Sequence, residues 1–76
     1  MEKKLTDAFV EALMIDKNLV TDTLKYNEIE EWDSVAHMSL ISEIKDRFEI
    51  MLDTDDIIDM SSYAKAKEIV TKYLDN

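Results

Sequence analysis

The chain has few side chains that could carry out chemistry, and Ser34 is the most suggestive of them. It follows Asp33 in residues 30–50, EEWDSVAHMSLISEIKDRFEI, and the one histidine, His37, comes three positions later. Residues three apart are neighbours on a helix, so the pair could act as nucleophile and base. No glycine-rich loop offers an oxyanion hole and nothing obvious orients the imidazole. We therefore expect no enzyme, and expect His37 to be a partly buried helix residue.

An acidic stretch raises the question of a metal site. Residues 53–64, DTDDIIDMSSYA, begin like a calcium-binding loop, but the sixth position, which needs glycine, is Ile58, and the twelfth, which needs glutamate, is Ala64. The absence of cysteine excludes disulfides, thiolate catalysis and zinc-thiolate sites. We therefore expect no metal site. Instead we expect a solvated acidic face formed by Asp53, Asp55, Asp56 and Asp59.

The charge of the chain narrows the choice of partners. Eighteen acidic residues against nine basic ones give a net charge of −9, which repels phosphate backbones and anionic membrane surfaces. Nucleic-acid binding and membrane insertion are therefore not expected, whereas basic patches on partner proteins would attract the chain. Asp7 and Glu11 interrupt the N-terminal apolar residues before they could form a signal-peptide core. We expect a cytoplasmic monomer with one domain, residues 1–76.

The elements that must position these residues are predicted to be helices. Apolar residues recur at spacings of three and four in three segments, and nothing alternates at the strand period. The predicted fold class is all-α, a small bundle of three main helices plus a short fourth. The recurring residues are Leu5, Ala8, Phe9, Ala12 and Leu13 in the first helix, which should end near Ile15; Val35, Met38, Leu40, Ile41, Ile44 and Phe48 in the second; and Ala66, Ile69, Val70, Tyr73 and Leu74 in the last, from about Tyr63 to Leu74.

Short polar side chains mark the predicted helix starts. Asp33 is placed to cap the second helix, which leaves Ser34 exposed in its first turn. Thr54 should cap the short helix, with Ile57, Ile58 and Met60 turned inward, and Ser61 or Ser62 should cap the last helix. Because the chain has neither glycine nor proline, other residues must form the left-handed helix ends, at a cost of roughly 1 kcal/mol each.

Residues 16–33 form a long connection between the first two long helices. Trp32, near its end, has two interpretations: an apolar plug that ties the connection to the core, or a binding platform; the plug is favoured. Beyond it, an exposed Ser34 hydroxyl at the positive end of a helix is well placed to carry a phosphate ester, because free N–H groups and the helix dipole favour negative charge. This position suggests attachment chemistry performed by another enzyme.

Residues 32–50, WDSVAHMSLISEIKDRFEI, resemble the attachment motif and second helix of the acyl carrier proteins. In that family an Asp-Ser-Leu triplet opens helix two and the helix ends in Phe-Gly-Ile; here Asp33, Ser34 and Val35 stand at the triplet, and Phe48 and Ile50 at the end. The long first connection, the acidic short helix and the segment DMSSYAKAKEIV also follow the order and spacing of the family. The resemblance thus covers nearly the whole chain and implies an acyl-carrier-like bundle.

The resemblance implies a function in which the reactive group is brought by a cofactor. Ser34 would carry a covalent 4'-phosphopantetheine, transferred from coenzyme A by a phosphopantetheinyl transferase, with Asp33 and Val35 completing the cofactor-binding motif. The thiol of the arm would hold an acyl or aminoacyl group as a thioester, loaded by a separate ligase or acyltransferase and passed to downstream transferases. The implied docking residues are Glu43, Asp46, Arg47, Asp55 and Asp56.

Departures from the family pattern bear on the pathway. Fatty-acid carriers usually have acids two, five and eleven positions beyond the serine, where this chain has Ala36, Ser39 and Lys45. The tryptophan before the Asp-Ser pair and the segment HMSLI are more similar to free-standing carriers of surface-glycan or secondary-metabolite pathways. Glu49 and Ala64 stand where the family commonly has glycine. The alternative hypothesis is an unmodified acidic helical adaptor that retains the carrier fold.

Overall fold

Four α-helices and one 3₁₀ helix make up the computed structural model, which describes residues 1–75. The only strand-like pairing in this range is an isolated antiparallel bridge between Lys25 and Ser62. The predicted all-α class, with three main helices and a short fourth, is thereby confirmed. The helices are α1 (Glu2–Leu13), α2 (Ser34–Phe48), α3 (Thr54–Asp59) and α4 (Tyr63–Leu74), and the 3₁₀ helix spans Lys17–Leu19.

The core lies between the three long helices, with α1 packed along α2. Its largest fully buried side chains include Trp32 and Phe9, whose rings meet edge to face with centroids 5.2 Å apart. Tyr63 at the start of α4 meets Phe9 in the same way at 5.1 Å. The radius of gyration, 11.0 Å, matches the roughly 11 Å expected of a compact chain of this length.

Left-handed residues end two of the helices although none is glycine. Met14 follows α1 with φ 56°, and Glu49 follows α2 with φ 54°; Asn27 in the long connection has φ 66°. After α2, the N–H of Ile50 donates to the carbonyl of Lys45 at 3.2 Å, the long-range bond of a Schellman motif. The sequence predicts that α1 ends near Ile15; in the structure it ends at Leu13, because Met14 is left-handed.

Two of the three predicted helix caps are confirmed. The Asp33 carboxylate accepts from the N–H of Ala36 at 2.9 Å, and the Ser62 hydroxyl accepts from the N–H of Lys65 at 3.0 Å. The prediction for Thr54 is wrong, because Asp53 occupies the cap position and Thr54 is the first residue of α3. The Asp53 side chain makes no capping hydrogen bond.

The predicted inward faces of α2 and α3 are wrong at three residues. Val35, Met38 and Ile58 are 78%, 58% and 72% exposed. Viewed down the axis of α2 at about 100° per residue, the buried side chains cover an arc of roughly 100° bounded by Leu40 and Ile41. Met38 lies about 60° and Val35 about 120° outside the Ile41 edge of this arc. On the six-residue α3, the buried residue is Asp56, and Ile58, two positions later, points about 160° away from it.

Two further findings concern residues 1–75. No helix there is both long enough and apolar enough to cross a membrane. Nor do three or more histidine, cysteine or acidic side chains come close enough together in this range to hold a metal ion.

Candidate functional site

The candidate site is centred on Ser34, the first residue of α2, whose side chain is exposed. Asp33 precedes it in an extended conformation and holds the first turn at two points. Its carboxylate accepts from the N–H of Ala36 at 2.9 Å, and its carbonyl accepts from the N–H of His37 at 2.8 Å. The remaining first-turn N–H groups, those of Ser34 and Val35, form no hydrogen bond within residues 1–75. The serine hydroxyl thus stands beside unpaired donors at the positive end of a 15-residue helix.

The long connection reaches this site through a buried tryptophan. Trp32, two residues before Ser34, has no exposed surface and packs edge to face against Phe9. The ring of Tyr26 contacts it from the connection itself, with centroids 5.9 Å apart. Because so large a side chain is immobilised in the core, the backbone that leads into α2 is held in place. The predicted plug is therefore confirmed.

His37 is half-buried, as predicted, but its imidazole is held at both nitrogens. The indole Nε1–H of Trp32 donates to Nδ1 at 3.0 Å. Because the indole can only donate, Nδ1 must accept, so the ring proton lies on Nε2. From there it donates to the carbonyl of Ile57 in α3 at 2.9 Å. The expectation that nothing orients the imidazole is therefore wrong.

The same bonds bear on the hypothesis of a Ser/His hydrolase. Within residues 1–75, Ser34 and His37 are not hydrogen-bonded to each other, and both imidazole nitrogens are bonded to other groups. A general base must reach the proton that it removes. In this conformation, His37 acts as a link between the long connection and α3, and no side chain of residues 1–75 is hydrogen-bonded to the Ser34 hydroxyl.

Asp56 corrects the predicted solvated face of α3. Asp56 is buried, with 8% of the residue exposed, whereas Asp53, Asp55 and Asp59 are exposed. One carboxylate oxygen accepts from Lys72 Nζ at 2.8 Å and the other from the Tyr73 hydroxyl at 2.5 Å. The hydrogen bonds from Lys72 and Tyr73 lower the pKa of Asp56 below its usual value, and those same bonds raise the pKa of Lys72 and of Tyr73.

The other predicted docking residues lie on the surface or at its border. Asp46 and Asp55 are exposed. Glu43 and Arg47 are half-buried and form an ion pair one turn apart on α2, with Arg47 Nε 2.9 Å from a Glu43 carboxylate oxygen. Of the other two charged residues in this stretch, Lys45 and Asp46, neither forms an ion pair within residues 1–75, and Asp46 is the exposed one.

Three surface clefts adjoin α2, and two of them are lined by exposed apolar residues of α2 or α3. The first has a volume of about 230 Å³, lies between the long connection and α3, and meets α2 at His37; it is lined by Tyr26, His37, Ile57, Ile58, Met60 and Ser61. A second, of about 440 Å³, lies towards the C-terminal half of α2 and includes the exposed side chains of Met38 and Met51. The exposed apolar residues of α2 and α3 thus line clefts or, like Val35, stand beside the serine.

The sequence indicated the serine and its cap but missed the links to α3. The His37 bond ends on the backbone carbonyl of Ile57, and a backbone acceptor leaves no mark in a sequence. The bonds from Lys72 and Tyr73 to Asp56 span 16 and 17 residues. Acids, lysines and tyrosines are common in this chain, so no spacing singled out that trio.

Comparison of the chain with family models, with curated proteins and with solved structures finds no match in any of the three.

Proposed function

We propose that the protein is a carrier that tethers an acyl or aminoacyl intermediate as a thioester on a 4'-phosphopantetheine arm attached to Ser34. The observation that supports it most is the exposed Ser34 hydroxyl at the first residue of α2, beside the aspartate that caps that helix. The acyl-carrier-like assignment of the bundle rests on the resemblance of residues 32–50 together with this helix order. We place the protein in the cytoplasm as a monomer.

The residues around Ser34 fit a phosphodiester. The unpaired N–H groups of Ser34 and Val35 and the positive end of α2 favour the added negative charge. In the attachment step, Ser34 Oγ forms a bond to the phosphorus that bears the pantetheine, and the bond between the two phosphates of coenzyme A breaks. 3',5'-ADP leaves, and the hydroxyl proton passes to a base of the transferase, because within residues 1–75 no side chain is hydrogen-bonded to the Ser34 hydroxyl.

The division of labour follows from the side chains present. The arm supplies a thiol for a chain that has no cysteine. Asp33 orients the first turn through its cap, and Trp32 holds the connection that leads into it. Loading by a ligase or acyltransferase and unloading by transferases, in surface-glycan or secondary-metabolite biosynthesis, are the steps that partner enzymes would perform.

Docking would use charged residues around α2 and α3, namely Glu43, Asp46, Arg47 and Asp55. Asp56 is left out of this set because its carboxylate is engaged by Lys72 and Tyr73. Reversing an exposed charge slows the encounter with a basic partner most at low salt. We expect Asp46→Lys to slow loading at low salt. Glu11→Lys makes the same charge change on exposed α1 and serves as the control. Equal loading rates for the two variants would contradict this docking surface.

The test of the attachment is the intact mass of the purified protein before and after incubation with coenzyme A and a broad-specificity phosphopantetheinyl transferase. We expect a gain of one phosphopantetheine in the wild type and none in Ser34→Ala. Ser39→Ala and Ser42→Ala remove exposed hydroxyls from the same helix and should still be modified. A gain in Ser34→Ala would refute the attachment site. If neither this transferase nor one from the source organism modifies the wild type, the unmodified adaptor is the better explanation.

A further inference from the structure

The position of α3 depends on contacts from outside it. The helix has six residues, Thr54–Asp59, too few for an isolated helix to be stable in water. Its last carbonyl groups also lack partners within the helix. The N–H of Met60 donates to Asp56 and that of Ser61 to Asp59, so neither serves the carbonyl of Ile57. His37 Nε2 donates to that carbonyl at 2.9 Å and thus caps the C-terminal end of α3.

Adjacent residues anchor α3 to two different helices. Asp56 is bonded to Lys72 and Tyr73 of α4, and Ile57 is bonded to His37 of α2. The Asp56 anchor acts through a side chain on one face of α3, whereas the Ile57 anchor acts through a backbone carbonyl at its C-terminal end, so the two hold α3 at different points. Of the two, only the one at Ile57 leads to the helix that carries Ser34.

The His37 anchor connects α3 directly to the turn that begins with Ser34. His37 is three positions beyond the serine, and the two lie on adjoining parts of one helical surface. The indole of the fully buried Trp32 fixes the orientation of the imidazole by donating to its other nitrogen. On the far side of the anchor, Ile58 is 72% exposed and lines the cleft that it shares with His37.

We infer that His37 is a positioning residue: it holds α3 against the first turn of α2 and thereby fixes the exposed Ile58 in the cleft that it shares with His37, one helical turn from Ser34, where an enzyme acting on the serine would dock. The inference rests on the proposed function for the part that concerns the modifying transferase. The coupling of His37 to α3 belongs to the unmodified protein and is measured separately.

The test compares wild type, His37→Leu and His37→Gln in two measurements. Leucine fills much of the same space without hydrogen bonds, whereas the glutamine amide offers one acceptor and one donor. In the first measurement, amide hydrogen exchange of the unmodified protein, we expect the amides of Ile57 and Met60 to exchange roughly tenfold faster in His37→Leu, since losing two neutral hydrogen bonds weakens α3 locally. In His37→Gln, most of the protection should return. Amides in the middle of α1 report whether the whole protein has been destabilised.

The second measurement is the steady-state kinetics of the phosphopantetheinyl transferase with each protein as substrate. A displaced α3 weakens docking without touching the reacting atoms, so KM for His37→Leu should rise roughly fivefold to tenfold with kcat unchanged, and His37→Gln should recover most of it. Tyr73→Phe removes both hydrogen bonds of the Tyr73 hydroxyl, the one that it donates to Asp56 and the one that it accepts from the N–H of Asp53. Because these bonds lead to α4 and not to α2, this variant should change KM less.

The outcomes separate the two hypotheses. The coupling is overturned if the exchange rates of Ile57 and Met60 are unchanged in His37→Leu, or if they rise by the same factor as the exchange rates of the amides in α1. Faster local exchange with an unchanged KM, or a KM that glutamine does not restore, overturns the role in docking. If no transferase modifies the wild type, the proposed function and the docking role fail together, and the exchange measurement still decides whether His37 couples α3 to α2.

Discussion

Trp32 should be the most costly single side chain to remove. It is fully buried, packs edge to face against Phe9, and supplies the only hydrogen bond recorded to His37 Nδ1 in the described structure. Truncating a buried aromatic side chain to alanine costs about 3–5 kcal/mol. A chain of 76 residues has a total free energy of unfolding of about 4–11 kcal/mol. We therefore expect Trp32→Ala to lose a large share of that free energy, about 3–5 kcal/mol.

Trp32→Phe separates packing from hydrogen bonding. It keeps most of the apolar body but removes the indole donor, and a lost hydrogen bond together with a small cavity should cost about 1–3 kcal/mol. Since both variants lack the tryptophan fluorophore, the assay is urea unfolding followed by far-ultraviolet circular dichroism. Met51→Ala, at a residue that is 76% exposed, is the control and should change the free energy of unfolding by less than about 0.5 kcal/mol.

One result would refute this reasoning. If Trp32→Ala unfolds with a free energy within about 1 kcal/mol of the wild type, then Trp32 does not anchor residues 16–33, and the ordered approach to Ser34 has another cause. If the slope of the free energy of unfolding against urea concentration changes, the substitution has altered the compactness of the folded or the unfolded state instead.

Two other perturbations have definite signs. The pKa of Asp56 is lowered by hydrogen bonds from Lys72 and Tyr73, so the ionised carboxylate stabilises the fold above the usual carboxyl range, and this stabilisation is lost as the pH falls below roughly 4. Melting temperatures measured across that range should therefore fall less steeply for Asp56→Asn than for wild type, whereas the exposed Asp55→Asn should follow wild type. Three parallel curves would contradict this expectation. Glu49 ends α2 in a left-handed conformation with φ 54°, which is strained for any residue with a Cβ. Glu49→Gly should therefore raise the free energy of unfolding, measured by urea titration, by about 0.5–1 kcal/mol. A lower free energy of unfolding would show instead that the Glu49 carboxylate stabilises the fold.

The sequence by itself determined the helices and the place of Ser34. Apolar spacing predicted α4 at Tyr63–Leu74, where the structure has it, and the short polar residues Asp33 and Ser62 marked two helix starts correctly. These signals are local, because a helix period and a capping side chain involve residues within three or four positions of one another. Because the chain has no glycine, the left-handed positions at helix ends are occupied by other residues, such as Glu49.

Only the tertiary structure decided which faces are buried and what holds α3. Val35 and Ile58 are apolar yet exposed, and Asp56 is acidic yet buried, because burial depends on which neighbouring element covers a residue. The anchor from His37 to the carbonyl of Ile57 spans 20 residues and ends on a backbone atom. Every residue except proline carries the same backbone donor and acceptor groups, so the residue that supplies such a partner is determined when the helices pack together.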